Sequence, residues 1–145
     1  MLIAQAYAEL GNSEKIWRAI HWVTTIHGGK SGGWFERYGP SITPPAPPVC
    51  VIGWMWAEVT GLIVRHVFGV RPGLKELVVR PSFLEGVNQM KGRITLRGTE
   101  YEMALYRDRV EPYAVIDGKP AKLENGALTL PYPKDAKKVK IEIHF

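Results

Sequence analysis

The sequence predicts an α+β chain, helices first and strands after, on three observations. Before Gly69 apolar residues recur at the three-to-four spacing of helices. After it they alternate in short runs bounded by turn residues. A glycine- and proline-rich stretch at 28–48 interrupts the helical part. With 145 residues and 46% hydrophobic content, the chain can bury a core without disulfides or metals. The boundary predicts two regions, 1–69 and 70–145.

Leu2, Ile3, Ala6, Tyr7 and Leu10 form the apolar stripe of a first helix, which Gly11-Asn12 ends. Ser13 offers the N-cap of a second, whose stripe is Ile16, Ala19, Ile20, Val23 and Ile26, widened by Trp17 and Trp22. The pair reads as an αα-hairpin.

Residues 28–48 hold five glycines and five prolines and exclude a helix interior or a central strand. Trp34, Phe35, Tyr38 and Ile42 supply apolar surface that a solvated linker lacks, so an ordered, ligand-facing loop is expected. From Val49 to Gly69 the sequence reads as a third helix, apolar on nearly every face, with Gly69 as its stop. Such a helix has to be surrounded, so the first region is expected to require helical partners outside this sequence.

In the second region Leu77–Val79 forms a short strand ended by Arg80-Pro81, and Met90, Ile94 and Leu96 share one face of the next. Tyr101, Met103 and Leu105 alternate, Val115-Ile116 precede the hairpin signal Asp117-Gly118, and Leu128–Leu130 is brief. Val139, Ile141, Ile143 and Phe145 alternate against Lys138, Lys140, Glu142 and His144. Six short strands predict an antiparallel, β-sandwich-like domain with one wet face.

The net charge of +5 is dispersed: residues 71–145 carry 14 Lys/Arg against 10 Asp/Glu, with no compact basic stripe, which argues against nucleic acid. The single cysteine, Cys50, excludes an internal disulfide and reads as a small apolar side chain. The run from Val49 is apolar for nine residues before Glu58 interrupts it. That falls short of the roughly 20 needed to span a bilayer, so no membrane segment is expected. MLIAQAYAEL lacks a signal-peptide pattern, which leaves the compartment open with the cytoplasm as default. His21, His27, His66 and His144 are scattered without carboxylate or thiol partners at ligand spacing, so neither metal nor cofactor is expected. GGKSGG is not a phosphate loop or a nucleophile elbow, because it lacks the strand before it and the helix immediately after it.

The order of a helical hairpin, the loop GGWFERYG, a tryptophan-bearing apolar helix, HVFGVRPGLKELVVRPSF and then KGRITLRGTEYEM resembles the C-terminal end of six-hairpin glycosidases. These are (α/α)6-barrel glycoside hydrolases and phosphorylases, including the α-L-rhamnosidase, glucoamylase, glycogen-debranching and cellobiose-phosphorylase-like groups. The resemblance covers essentially the whole chain and is most specific from Val67 through Pro81. It implies the terminal helices of an (α/α)6 toroid followed by a β-sandwich-like domain. It also implies a glycoside or oligosaccharide substrate and a catalytic acid on an earlier hairpin of the barrel, in the same parent chain or a partner. This chain alone would then be incomplete and inactive.

Glycoside hydrolysis requires an acid on the leaving oxygen and a base or nucleophile across the ring. The resemblance implies that Glu36, in the aromatic loop, is the general base of an inverting reaction. The bland reading is a solvated carboxylate paired with Arg37. Trp34, Phe35 and Tyr38 would desolvate it and offer flat faces to a sugar, with Arg37 donating to hydroxyls, although each also suits core packing. Trp54 and Trp56 lie two apart on a helix and face different sides, with Trp54 a further substrate-binding candidate. Glu58 is the rival catalytic carboxylate, or a partner of Arg65. The alternatives are a noncatalytic carbohydrate-binding or accessory subunit, a structural interaction domain, and phosphorolysis on the same framework.

Overall fold

The computed structural model describes residues 1–37, 49–108, 111–135 and 138–145, with only the backbone described at 36, 37 and 49–51. The chain is a mixed α+β protein that divides into two compact units, Met1–Ile63 and Val64–Phe145, each taken by itself.

In the first unit α1 (Leu2–Glu9) and α2 (Ser13–Thr25) form the hairpin. Gly11 N–H donates to the Ala8 carbonyl and Asn12 N–H to that of Tyr7, the paired bonds of a Schellman motif. The N-cap of α2 is Asn12, not the expected Ser13, because Asn12 Oδ1 accepts the Lys15 N–H at 3.1 Å. One residue therefore closes α1 through its backbone and opens α2 through its side chain. The helices bury Ala4 and Ala8 on α1 and Ile16 and Val23 on α2. The stripe expected on α1 is not the buried one, since Leu2, Ile3 and Leu10 are 70–79% exposed. Two alanine methyls suffice for close packing against α2 and leave the larger side chains outside.

The run after the loop differs from the expected continuous helix. Val49–Val51 is strand β2, antiparallel to β1 (Phe35–Arg37), with Phe35 opposite Val51 and Arg37 opposite Val49. β-Branched valines suit that pairing. Helix α3 begins only at Trp54, runs to Thr60 and passes into π-helical turns over Gly61–Val67. Among the described residues no helix is long and apolar enough to cross a membrane.

The second unit opens on a tight junction. Gly69 has φ +81, and a Cβ there would collide with the carbonyl of Arg80. Arg80 N–H donates to the Gly69 carbonyl and Ser82 N–H to that of Val67, both at 2.9 Å. The chain after the helix is thus fastened to the strand that returns past it. Strands β3 (Val70–Pro72), β4 (Glu76–Val79) and β9 (Leu128–Pro131) form an antiparallel sheet in the order β3-β4-β9. A second sheet contains β5 (Gln89–Leu96), β6 (Thr99–Tyr106), β10 (Lys138–His144), β7 (Tyr113–Ile116) and β8 (Lys119–Ala121), in the order β5-β6-β10-β7-β8.

This sheet is mixed rather than antiparallel, because β10 runs parallel to β6 and antiparallel to β7. Its outer face is wet, as the alternation of β10 requires. The Asp117-Gly118 turn has φ values of +49 and +79, the left-handed pair of a type I′ hairpin. Asp117 Oδ1 also accepts the Lys140 N–H at 2.8 Å, which ties the turn to β10.

Both sheets share one core. Val70, Leu77, Val79 and Leu128 from the smaller meet Tyr101, Met103, Leu105, Ala114, Val139, Ile141 and Ile143 from the larger. Each fully buried aliphatic side chain contributes about 1.5–3 kcal/mol. Burial also pushes the ionisation of the Tyr101 phenol upward. On the wet face Lys138 bridges Glu102 at 2.9 Å and Glu100 at 3.4 Å across the parallel pair. The hydrogen bond from Lys138, and then its charge, hold the Glu102 carboxyl below its ordinary value.

Two outcomes follow from these contacts. Gly69→Ala should cost at least about 2 kcal/mol in urea unfolding, because strain and collision add. Gly98→Ala, with similar φ but open space around it, should cost only about 1 kcal/mol. A depressed Glu102 stabilises the fold at pH values above its unfolded value, and that stabilisation disappears as pH falls through the depressed one. Lys138→Met should therefore raise the Glu102 titration seen by NMR and flatten the acid limb of the stability curve.

Candidate functional site

The predicted site grows out of the C-terminal end of α2. Thr25 is its last residue, and the chain then turns sharply through Gly28–Gly33. The Gly28 carbonyl accepts the N–H groups of Ser31 and Gly33 and the Ser31 hydroxyl, at 3.1, 3.0 and 2.9 Å. Gly28 has φ +80, and a Cβ there would strike the Gly33 carbonyl, so the turn closes only on glycine.

Trp34 follows and is anchored. Its ring is 5% exposed, and Nε1 donates to the Val23 carbonyl at 2.7 Å. That carbonyl belongs to the last turn of α2, where helix acceptors lack intrahelical donors. The Trp34 carbonyl in turn accepts the Ile52 N–H at 2.9 Å. Trp56 meets Trp34 edge-on, with centroids 5.0 Å apart and planes at 69°, an arrangement that aromatic quadrupoles favour. A Cβ on Gly32 would fall 2.6 Å from the Trp56 ring, so this glycine makes the room in which the indole lies. Phe35 stacks on His27 at 5.8 Å and 9°.

Four aromatic rings therefore surround the glycine turn directly before Glu36. Backbone pairing of β1 with β2 sets Glu36 across from Cys50, between the paired positions 35 and 37. The side chains of Glu36 and Arg37 lie outside the description, and Tyr38 lies outside the described residues. Trp34 and Phe35, expected to face substrate, are held by Val23 and His27, and Trp34 is a packing residue. Trp54 is 59% exposed at the start of α3, while Trp56 makes the packing contact. Trp56 is itself 52% exposed, so both tryptophans present surface, and Trp56 also meets Trp34 edge-on.

Glu58 is partly buried, and its partner is not Arg65. Gln5 Nε2 on α1 donates to Glu58 Oε2 at 2.8 Å and to its carbonyl at 3.2 Å. Sequence reasoning missed Gln5, since nothing in local spacing links positions so far apart. It also passed over His27, whose stacking on Phe35 depends on the glycine turn.

A depression of about 170 Å³ on the helical hairpin is lined by Met1, Ile3, Ala4, Tyr7, Lys15, Ala19 and Trp22, none of them a predicted site residue. No group of His, Cys, Asp and Glu suited to a metal occurs among the described residues. Comparison of the chain with models of known protein families and with curated proteins finds no match to either.

The Trp34 anchor has a direct test. Trp34→Phe keeps most of the apolar volume but leaves the Val23 carbonyl without its donor, which should cost about 1–3 kcal/mol in thermal or urea unfolding.

Proposed function

We propose that the chain is the C-terminal portion of a glycoside hydrolase, with Glu36 as the general base that activates water against the anomeric carbon. The observation that carries the proposal is the placement of Glu36 on β1, two residues after the anchored Trp34 and inside a pairing that fastens residues 35–37 to 49–51. A carboxylate carried on backbone that strand pairing holds in place is suited to proton transfer, because a held backbone limits its reach. The involvement of Glu58 in a bond to Gln5 favours Glu36 over its rival.

Inverting hydrolysis sets its two carboxyl groups about 6.5–9.5 Å apart, with a water between. The acid partner belongs to another hairpin of the (α/α)6 barrel. Support for such neighbours comes from the first unit's exposed apolar side chains, Leu2, Ile3, Leu10, Trp17, Trp22 and Trp54 among them. In this reading the substrate is an oligosaccharide or glycoside, and no cofactor takes part. The exposed Trp54 and Trp56 favour one second reading, a noncatalytic carbohydrate-binding or accessory subunit. Calorimetry with oligosaccharides separates them, since an accessory module binds by itself.

The decisive experiment places Glu36→Gln in the protein carrying the full set of barrel helices. Turnover of a glycoside should fall by about 10²–10⁴, the range for a lost general base, with substrate binding preserved. Unchanged turnover removes the assignment.

A further inference from the structure

The wet face of the five-stranded sheet carries a groove of about 400 Å³, and its origin is one small residue. Along β6 the outward positions are Glu100, Glu102, Ala104 and Tyr106, since Tyr101, Met103 and Leu105 point into the core. Register sets Ala104 between Lys91 on β5 and Glu142 on β10. Those flanking residues stand roughly 10 Å apart at the backbone, two strand spacings, and a methyl lies between them. The gap is therefore built into the pairing rather than left by a mobile side chain.

Its lining carries Lys91, Arg93 and Lys140 against Glu102 and Glu142. Glu102 is already bound to Lys138. Arg93 and Lys140 lie near enough to act on the charge of Glu102, yet among the described residues the side chains of Arg93, Lys140 and Glu142 make no hydrogen bond or ion pair. Lys91 holds its ammonium 5.6 Å from the centre of the Tyr106 ring. That ring starts a rigid wall: Tyr106, His144 and Tyr113 stack at 4.7 and 4.5 Å with planes within 16° and 6°, and Asp108 holds His144 Nδ1 at 2.9 Å.

We propose that this groove is a binding site for a small hydroxylated organic anion, of the sugar-phosphate or sugar-acid class. The oxyanion meets Lys91, Arg93 and Lys140, while Glu142 and the Tyr106 hydroxyl take the ligand's hydroxyls, a division of labour that a bare inorganic ion cannot use. The site lies wholly within the second unit and stands independently of the role of Glu36.

Calorimetry on the full chain at low salt, with glucose 6-phosphate, glucuronate, glucose and inorganic phosphate as probes, tests it. Glucose 6-phosphate or glucuronate should bind at least tenfold more tightly than glucose and than phosphate alone, and the two anions distinguish a phosphate from a carboxylate ligand. Ala104→Leu, which fills the floor without changing charge, should weaken that binding at least tenfold while thermal unfolding stays unchanged. Arg93→Ala with Lys140→Ala should weaken it similarly and reduce its salt dependence. The proposal is overturned if no organic anion binds, if phosphate alone binds as well, or if Ala104→Leu binds like the wild type.

Discussion

The hydrogen bond from the Trp34 indole to the Val23 carbonyl fixes where the candidate site begins. A helix ends with carbonyls that need donors, and here one is satisfied by a side chain from beyond the turn. The Gly28–Gly33 turn must then be tight enough to return the chain within reach, which explains why substituents at Gly28 and Gly29 would meet backbone carbonyls. With Trp34 held, Ile52 bonds to its carbonyl and β1 pairs with β2. The backbone carrying Glu36 is thus located by the end of a helix eleven positions upstream of Trp34 and by a strand that returns after the proline-rich segment.

The second unit obeys a different constraint. A two-layer core demands strict alternation, and β6 and β10 supply it with buried residues at every second position. Alternation frees the opposite face from packing requirements. Charges there can pair across strands, as Lys138 does with Glu100 and Glu102, and a small residue such as Ala104 can persist without opening a hole in the core. The groove exists because the wet face has no volume to conserve.

Much of this was legible in the sequence. Period-two spacing located β5, β6 and β10, short apolar runs beside turn residues located β4, β7 and β9, Asp117-Gly118 announced its hairpin, and Gly69 marked the helix end. Four three-residue strands among the described residues escaped reading: β1 and β2, in and after the loop, and β3 and β8, edge strands carrying Pro72 and Pro120, whose pairing is decided by their neighbours. Alternation carries no direction, so the parallel setting of β10 against β6 was invisible. Val49–Val51 read as helix because a short apolar run fits either period. At the candidate site the aromatic loop stood out, but composition could not tell an anchoring Trp34 from a substrate-facing one. That distinction lies in a 2.7 Å bond to a helix carbonyl.

The position of β10 also bears on how the protein is made. This strand is the last of its sheet in chain order, yet it lies in the middle, between β6 and β7. During vectorial synthesis the pairs β5-β6 and β7-β8 can each form as hairpins, but their inner edges stay open until residues 138–144 leave the ribosome. Open strand edges invite pairing with other chains. Nascent copies therefore present unpaired edges to cross-pairing until this strand has emerged.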